Sequence, residues 1–218
     1  VPRGKIAFQS HRATPCHLPN RIPSSSLVFT PCSATFHAMY GIVNQAIQDL
    51  ITENFGEDQW NAIRDRSGIE IDFFQSLAAY DDEITFKLAI AASEVLGMSL
   101  DQILIAFGEW WVLRTGKEKY GALMSAGGES LREFLVNLPS FHNRITLIYP
   151  KLTPPEFQIS DLAERSLHVH YYSQRQGLRE FVRGLLQGLG KMYQVPVSID
   201  LLQSRDDGHD HEVYRVSW

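Results

Sequence analysis

With 218 residues, 44% of them hydrophobic and 21% charged, the chain has the composition of a folded globular domain and room for one sizeable core. The net charge of −5 is unevenly spread: residues 1–38 contain Arg3, Lys5, Arg12 and Arg21 and no acid, which leaves the remainder at −9. A body so acidic, with no basic patch, excludes nucleic acid as a partner, and the absence of an apolar run of about 18 residues argues against direct membrane insertion.

Residues 1–38 hold five of the ten prolines, the run Ser24-Ser25-Ser26 and apolar residues without a period. They read as a disordered or non-native leader. Both cysteines, Cys16 and Cys32, fall here, so the rest of the chain has no thiolate chemistry, a pattern suited to a reducing cytoplasm.

From Met39 the pattern becomes helical, with Tyr40, Val43, Ile47, Leu50 and Ile51 on one stripe and Gly56 as a stop. Further helices are predicted over Trp60–Arg66, Asp72–Ala79 and Glu83–Leu96, the last capped by Asp81 or Asp82. Ser99 with Gln102 opens a helix over Leu100–Leu113, and Ser130 with Glu133 opens another at Leu131. Pro139 is expected to restart the helix as the first residue of a segment Pro139–Tyr149.

After Pro150, Pro154 and Pro155 the period changes to two. Phe157 and Ile159, then Leu167, Val169 and Tyr171, alternate with polar residues as in half-buried strands. A long helix over Gly177–Gln194 interrupts them, and a hairpin joins Val195–Gln203 to His211–Trp218. The fold class expected is α+β, an N-terminal helical part followed by an antiparallel sheet of about four strands.

The usual catalytic signatures are missing: there is no G-x-S-x-G, no H-E-x-x-H and no phosphate loop. Gly184, Gly188 and Gly190 sit in an apolar helix, where small residues permit close packing. His168 with His170, and His209 with His211, could each begin a zinc site. Neither pair has further ligands at a recognised spacing, so surface histidines are the preferred reading. His142 stands alone among Leu138, Phe141 and Ile145, as a core histidine or as a ligand to a heme iron. In Tyr171-x-Ser173-x-Arg175 alternate residues share one strand face, giving a polar face or a seat for two carboxylates.

Taken together, these segments resemble the H-NOX (heme nitric oxide/oxygen binding) family, whose module also occurs in soluble guanylate cyclase. The anchors are Met39-Tyr40-Gly41-Ile42-Val43-Asn44, Ala106-Phe107-Gly108-Glu109-Trp110-Trp111, Leu138-x-x-x-His142, Pro154-Pro155 and Tyr171-x-Ser173-x-Arg175, in order across residues 39–218. The resemblance implies a sensor rather than an enzyme, of the bacterial stand-alone type, with heme b (iron protoporphyrin IX) between the two parts of the fold. By it, His142 is the proximal iron ligand, Tyr171, Ser173 and Arg175 bind the propionates, Pro155 and Val43 touch the macrocycle, and Trp111 and Phe181 lie on the distal side. It further implies that NO and CO bind ferrous heme, and that NO weakens the Fe–His bond. With a phenylalanine at 181 in place of the hydroxyl that oxygen binders use, O2 is expected to be excluded. An output module is not expected in the chain, and the implied partner is a separate histidine kinase or a cyclic-nucleotide or diguanylate signalling enzyme. The alternative is a binding module of the same fold that carries a non-heme apolar ligand.

Overall fold

A computed structural model describes residues 38–149 and 154–218. The expectation of a leader over residues 1–38 therefore lies outside the described residues, apart from Ala38. The elements run β1 (Ala38–Tyr40), α1 (Gly41–Phe55), α2 (Glu57–Ser67), β2 (Ala79–Asp81), α3 (Asp82–Leu96) and α4 (Leu100–Trp110). A π-helical turn (Trp111–Gly116), α5 (Lys117–Ser125), α6 (Leu131–Ile148), β3 (Glu156–Ser160) and β4 (Ser166–Tyr172) follow. The chain closes with α7 (Arg179–Met192), β5 (Ser198–Gln203) and β6 (Glu212–Ser217).

Apart from the short pair β1 and β2, the helices α1 to α6 precede the sheet strands β3 to β6, as the change of period predicts. The capping chemistry explains several boundaries. Ser99 and Gln102 form a reciprocal capping box on α4, and the Asp81 carboxylate accepts from the Glu83 N–H at 2.9 Å to start α3. Ser130 accepts from the Glu133 N–H, while the Glu133 side chain accepts from the Glu129 N–H instead of closing the box.

Two expectations fail. Asp72–Ala79 is not a helix: Phe74 alone buries its ring, Phe73 and Leu77 are exposed, and Ala79–Asp81 becomes a strand paired with Ala38–Tyr40. That pairing partner lies some 40 positions upstream, so no local period announces it. Pro139 does not restart a helix but sits inside the continuous α6. The buried row Leu131, Phe134, Leu135 and Leu138 runs up to it, and this packing outweighs the hydrogen bond that proline removes.

The four-stranded sheet is antiparallel, in the order β3-β4-β6-β5. Val169 opposes Ile159 on one side and Tyr214 on the other. Leu167, Val169 and Tyr171 face a core shared with Phe134, Leu135, Val182, Leu186 and others, while His168, His170 and Tyr172 occupy the opposite face. A second core lies among α1 to α4 and includes Ile47, Leu88 and Phe107. Helix α7 packs on α4 through glycines: a Cβ at Gly184 would lie 2.2 Å from the Ile105 carbonyl oxygen, and one at Gly108 would lie 2.3 Å from that of Phe181. The close-packing reading of Gly184 is therefore correct, and backbone contact fixes where Phe181 stands. Among the described residues no single helix is long and apolar enough to cross a membrane.

Candidate functional site

The cores enclose a cavity of about 230 Å³ with walls from α1, α4, α6, α7 and the start of β3. This is several times the roughly 30 Å³ share of one water, and the lining is almost wholly apolar, so the space suits a bulky apolar group. His142, Pro155, Val43, Trp111, Phe181, Tyr171 and Arg175 all line it.

His142 lies on α6 one turn beyond Leu138, and its Nδ1 approaches the Leu138 carbonyl oxygen at 3.3 Å. A carbonyl can only accept, so Nδ1 carries the proton and Nε2 keeps its lone pair. No described residue hydrogen-bonds to Nε2. The Phe157 ring from β3 stands 4.5 Å from the imidazole, and the adjacent Phe141 is 5.6 Å away. Burial among these apolar groups pushes the His142 pKa down to about 4, with the Leu138 hydrogen bond opposing, so the ring is neutral. A neutral imidazole on a rigid helix with a bare Nε2 can ligate a metal held inside a flat apolar group.

Tyr171 lies on β4, and Ser173 and Arg175 follow beyond its end; Tyr171 and Arg175 line the cavity, whereas Ser173 is not among its lining residues. The Tyr171 hydroxyl interacts with Ser173, and the Ser173 hydroxyl also accepts from the Arg175 backbone N–H at 3.1 Å. Tyr171 is buried, which raises its pKa. Arg175 donates from Nε to Asp82 Oδ2 at 2.7 Å, and both side chains are largely buried. Sequence reasoning missed Asp82 because a helix-cap role already accounted for it. In fact Asp81 caps, and Asp82 faces the cavity-lining arginine with Oδ1 left unsatisfied.

Elsewhere on the lining, Phe181 lies 4.9 Å from Phe107, and Trp111 meets Phe107 edge to face at 6.2 Å. The π-helical turn begins at Trp111, and such turns recur where a helix wall is shaped for a ligand. Hydroxyls elsewhere on the lining are engaged. Thr85 donates to the buried Asn44 amide oxygen at 2.7 Å, and Tyr120 pairs with Tyr149, which also packs on Tyr40. Neither Tyr120 nor Tyr149 carried a motif in the sequence.

Among the described residues, no group of three or more His, Cys, Asp or Glu side chains is arranged to hold a bare metal ion. The two histidine pairs are not zinc sites of that kind. His170 and His211 instead meet each other across the outer face of the sheet.

The chain is similar to soluble guanylate cyclase gcy-31 of Caenorhabditis elegans, 27% identical over 180 residues that cover 82% of this chain and 26% of the relative. It is likewise 22% identical to soluble guanylate cyclase 89Da of Drosophila melanogaster over 78% of this chain and 26% of the relative. The chain thus spans about a quarter of the length of these curated relatives. Among solved structures, the Fe(II) unliganded H-NOX protein from K. algicida superposes with a TM-score of 0.71 at 22% identity, covering 82% of this chain and 96% of that one. The H-NOX protein from S. oneidensis in the Fe(II)NO ligation state gives a TM-score of 0.73 at 18% identity, over 82% of this chain and 98% of that one. These likenesses establish the fold, and residues 40–201 match the family model described as Haem-NO-binding; the chain therefore belongs to the Haem-NO-binding, or H-NOX, family of heme-binding gas-sensor domains.

Proposed function

We propose that the chain is a heme-based nitric oxide sensor, with residues 39–218 as the sensing domain and heme b seated in the cavity beside α6. The observation that carries this reading is His142, a neutral imidazole on the wall of an apolar cavity whose Nε2 lone pair has no partner among the described residues. The residues present fit the group. His142 would hold its iron, and Arg175, with Tyr171 and Ser173, would supply the cation and donors for its carboxylates. Val43 and Pro155 would touch its faces, and Trp111 and Phe181 would line the side opposite His142.

When bound, heme b would supply a ferrous iron able to take NO or CO, and His142 would hold that iron through its imidazole. The pKa of about 4 keeps His142 neutral and able to ligate near pH 7. Phe181 and Phe107 offer ring edges where a donor would be needed to hold O2, and the Thr85 hydroxyl is already committed to Asn44. NO and CO are therefore accepted and O2 excluded. Helix α6 carries His142 at one point and exposes Leu147 and Ile148 at its end, so a change at the imidazole can be displayed to a partner without chemistry in this chain. The proposed partner is a signalling enzyme, a histidine kinase or a cyclic-nucleotide or diguanylate enzyme.

Heme reconstitution with visible spectroscopy tests the proposal. The protein should show a Soret band that shifts on reduction and on NO addition, and His142→Gly should lose heme unless imidazole is supplied. A chain that stays colourless after reconstitution while taking up a fatty ligand would overturn the sensor reading in favour of an apolar-ligand carrier. Unchanged heme coordination in His142→Gly would mean that another residue is the ligand.

A further inference from the structure

The outer face of the sheet, opposite the cavity, carries a chain of hydrogen bonds across β3, β4 and the start of β6. Ser160 Oγ lies 2.6 Å from Asp161 Oδ2 and 2.8 Å from His170 Nε2. His170 Nδ1 lies 2.9 Å from His211 Nε2, and His211 Nδ1 lies 2.5 Å from Asp210 Oδ1. His211 is 9% exposed and stacks on Tyr172 at 4.0 Å, so this chain is partly shielded from water.

A proton inventory shows what the chain requires. Both carboxylates only accept, so Ser160 must donate to Asp161, and His211 must donate from Nδ1 to Asp210. Ser160 has a single O–H; once that is spent, the bond to His170 needs a proton on His170 Nε2. The bond between the rings needs one more. All four bonds coexist only with three protons on the two imidazoles, one more than two neutral rings carry. The positive charge belongs on His211, beside the Asp210 carboxylate, because burial and the neighbouring His211 and His168 push the His170 pKa down.

Loss of that proton cannot leave the arrangement as it is. His211 then keeps its Nδ1 proton for Asp210 and turns a bare Nε2 toward His170. Two bare nitrogens 2.9 Å apart are unfavourable, so the His170 proton moves to Nδ1, and Ser160 turns its O–H from Asp161 to His170 Nε2. We propose that His211 and His170 form a proton-driven tautomer switch, in which protonation of His211 sets the tautomer of His170 and thereby decides whether Ser160 holds Asp161.

His168 contacts Asp161 Oδ2 at 3.0 Å and remains its holder when Ser160 turns away. Gln203 on β5 donates to the His211 carbonyl at 3.3 Å, and Arg215 is occupied by Asp200 at 2.8 Å. His209 is exposed near Asp210. Asp161 has φ of +48°, a conformation that costs a non-glycine residue and that the Ser160 contact helps to hold. The switch thus acts on the turn between β3 and β4. The other end of β3 carries Phe157 against His142.

Nitrogen-15 NMR of the histidines in the full chain, titrated between about pH 5 and 8, tests this. His170 should change from the Nε2–H to the Nδ1–H tautomer as pH rises, with the midpoint at which His211 loses its charge. Amide exchange over residues 161–165 should quicken with the same midpoint. His211→Gln should abolish the pH-dependent change at His170. A wild-type His170 that keeps one tautomer throughout the His211 titration would overturn the proposal, as would a change that persists in His211→Gln. None of these readouts depends on heme or on gas binding.

Discussion

Arg175 and Asp82 meet at 2.7 Å although 93 positions separate them, and their contact ties the segment after β4 to the first turn of α3. Their side chains are 7% and 12% exposed, so the pair is desolvated, and Asp82 Oδ1 has no partner of its own. A guanidinium committed to a carboxylate beside an apolar cavity is the chemistry that would accept the carboxylate rim of a bound heme.

Asp82→Ala leaves a buried guanidinium without this carboxylate. Removal of one member of a buried pair costs about 3–5 kcal/mol, and denaturant unfolding of the heme-free protein should show a loss of that order. In the heme-loaded protein the loss should shrink, because rim carboxylates replace Asp82 at Arg175. An equal loss in both forms would mean that Arg175 does not engage the group.

The depressed pKa of His142 makes a pH prediction for the heme-free protein. Its folded value of about 4 lies below the ordinary 6.5, so the unfolded chain binds the proton more readily. Stability is then complete above about pH 6.5, falls as pH drops toward 4, and levels off below. At 1.36 kcal/mol per unit the fall is roughly 3 kcal/mol. The same titration on His142→Phe should lack that component; a wild-type profile unchanged in the variant would show that His142 is not buried as described.

Much of this was legible in the sequence because the signals were local. Ser99 with Gln102, the stripe through Leu50, and the alternation Leu167, Val169, Tyr171 each depend on residues within one turn or one strand. What escaped depended on partners far along the chain. Ala79–Asp81 is a strand only because Ala38–Tyr40 lies beside it, and Phe74 hides a segment whose neighbours read as a helix. Asp82 was overlooked since one acid suffices to cap α3, and nothing near it in sequence reveals Arg175. His170 and His211 appeared as members of two separate pairs, because the β4–β6 register that joins them is a tertiary fact. His142 could be singled out as an apolar-helix histidine, but its bare Nε2 follows from the Leu138 carbonyl contact.

The glycine contact between α4 and α7 should not tolerate a methyl group. Gly184→Ala places a Cβ within 2.2 Å of backbone at Ile105, where no side chain can rotate away. The gain of about 1 kcal/mol in helix propensity is outweighed by overpacking of about 1–3 kcal/mol or more, and α7 must shift with Phe181. Gly121→Ala is the control: nothing lies within 4 Å of its Cβ, so the propensity gain should appear as a higher unfolding midpoint. If Gly184→Ala were as stable as Gly121→Ala, the helices would not be in backbone contact.

Phe181→Tyr tests the chemistry assigned to the wall opposite His142. The Phe181 ring lines the cavity next to Phe107, so a para hydroxyl adds a donor beside two rings that carry none. Bound O2 is polar and gains from such a donor, whereas NO and CO depend on it far less. The ferrous wild-type protein should therefore show no stable O2 complex in air, and the variant should acquire one in its visible spectrum while retaining NO and CO binding. Stable O2 binding by the wild type would place a donor on that wall already, with Trp111 the residue to replace next. Failure of the variant to gain O2 while NO binding persists would mean that position 181 does not face the iron.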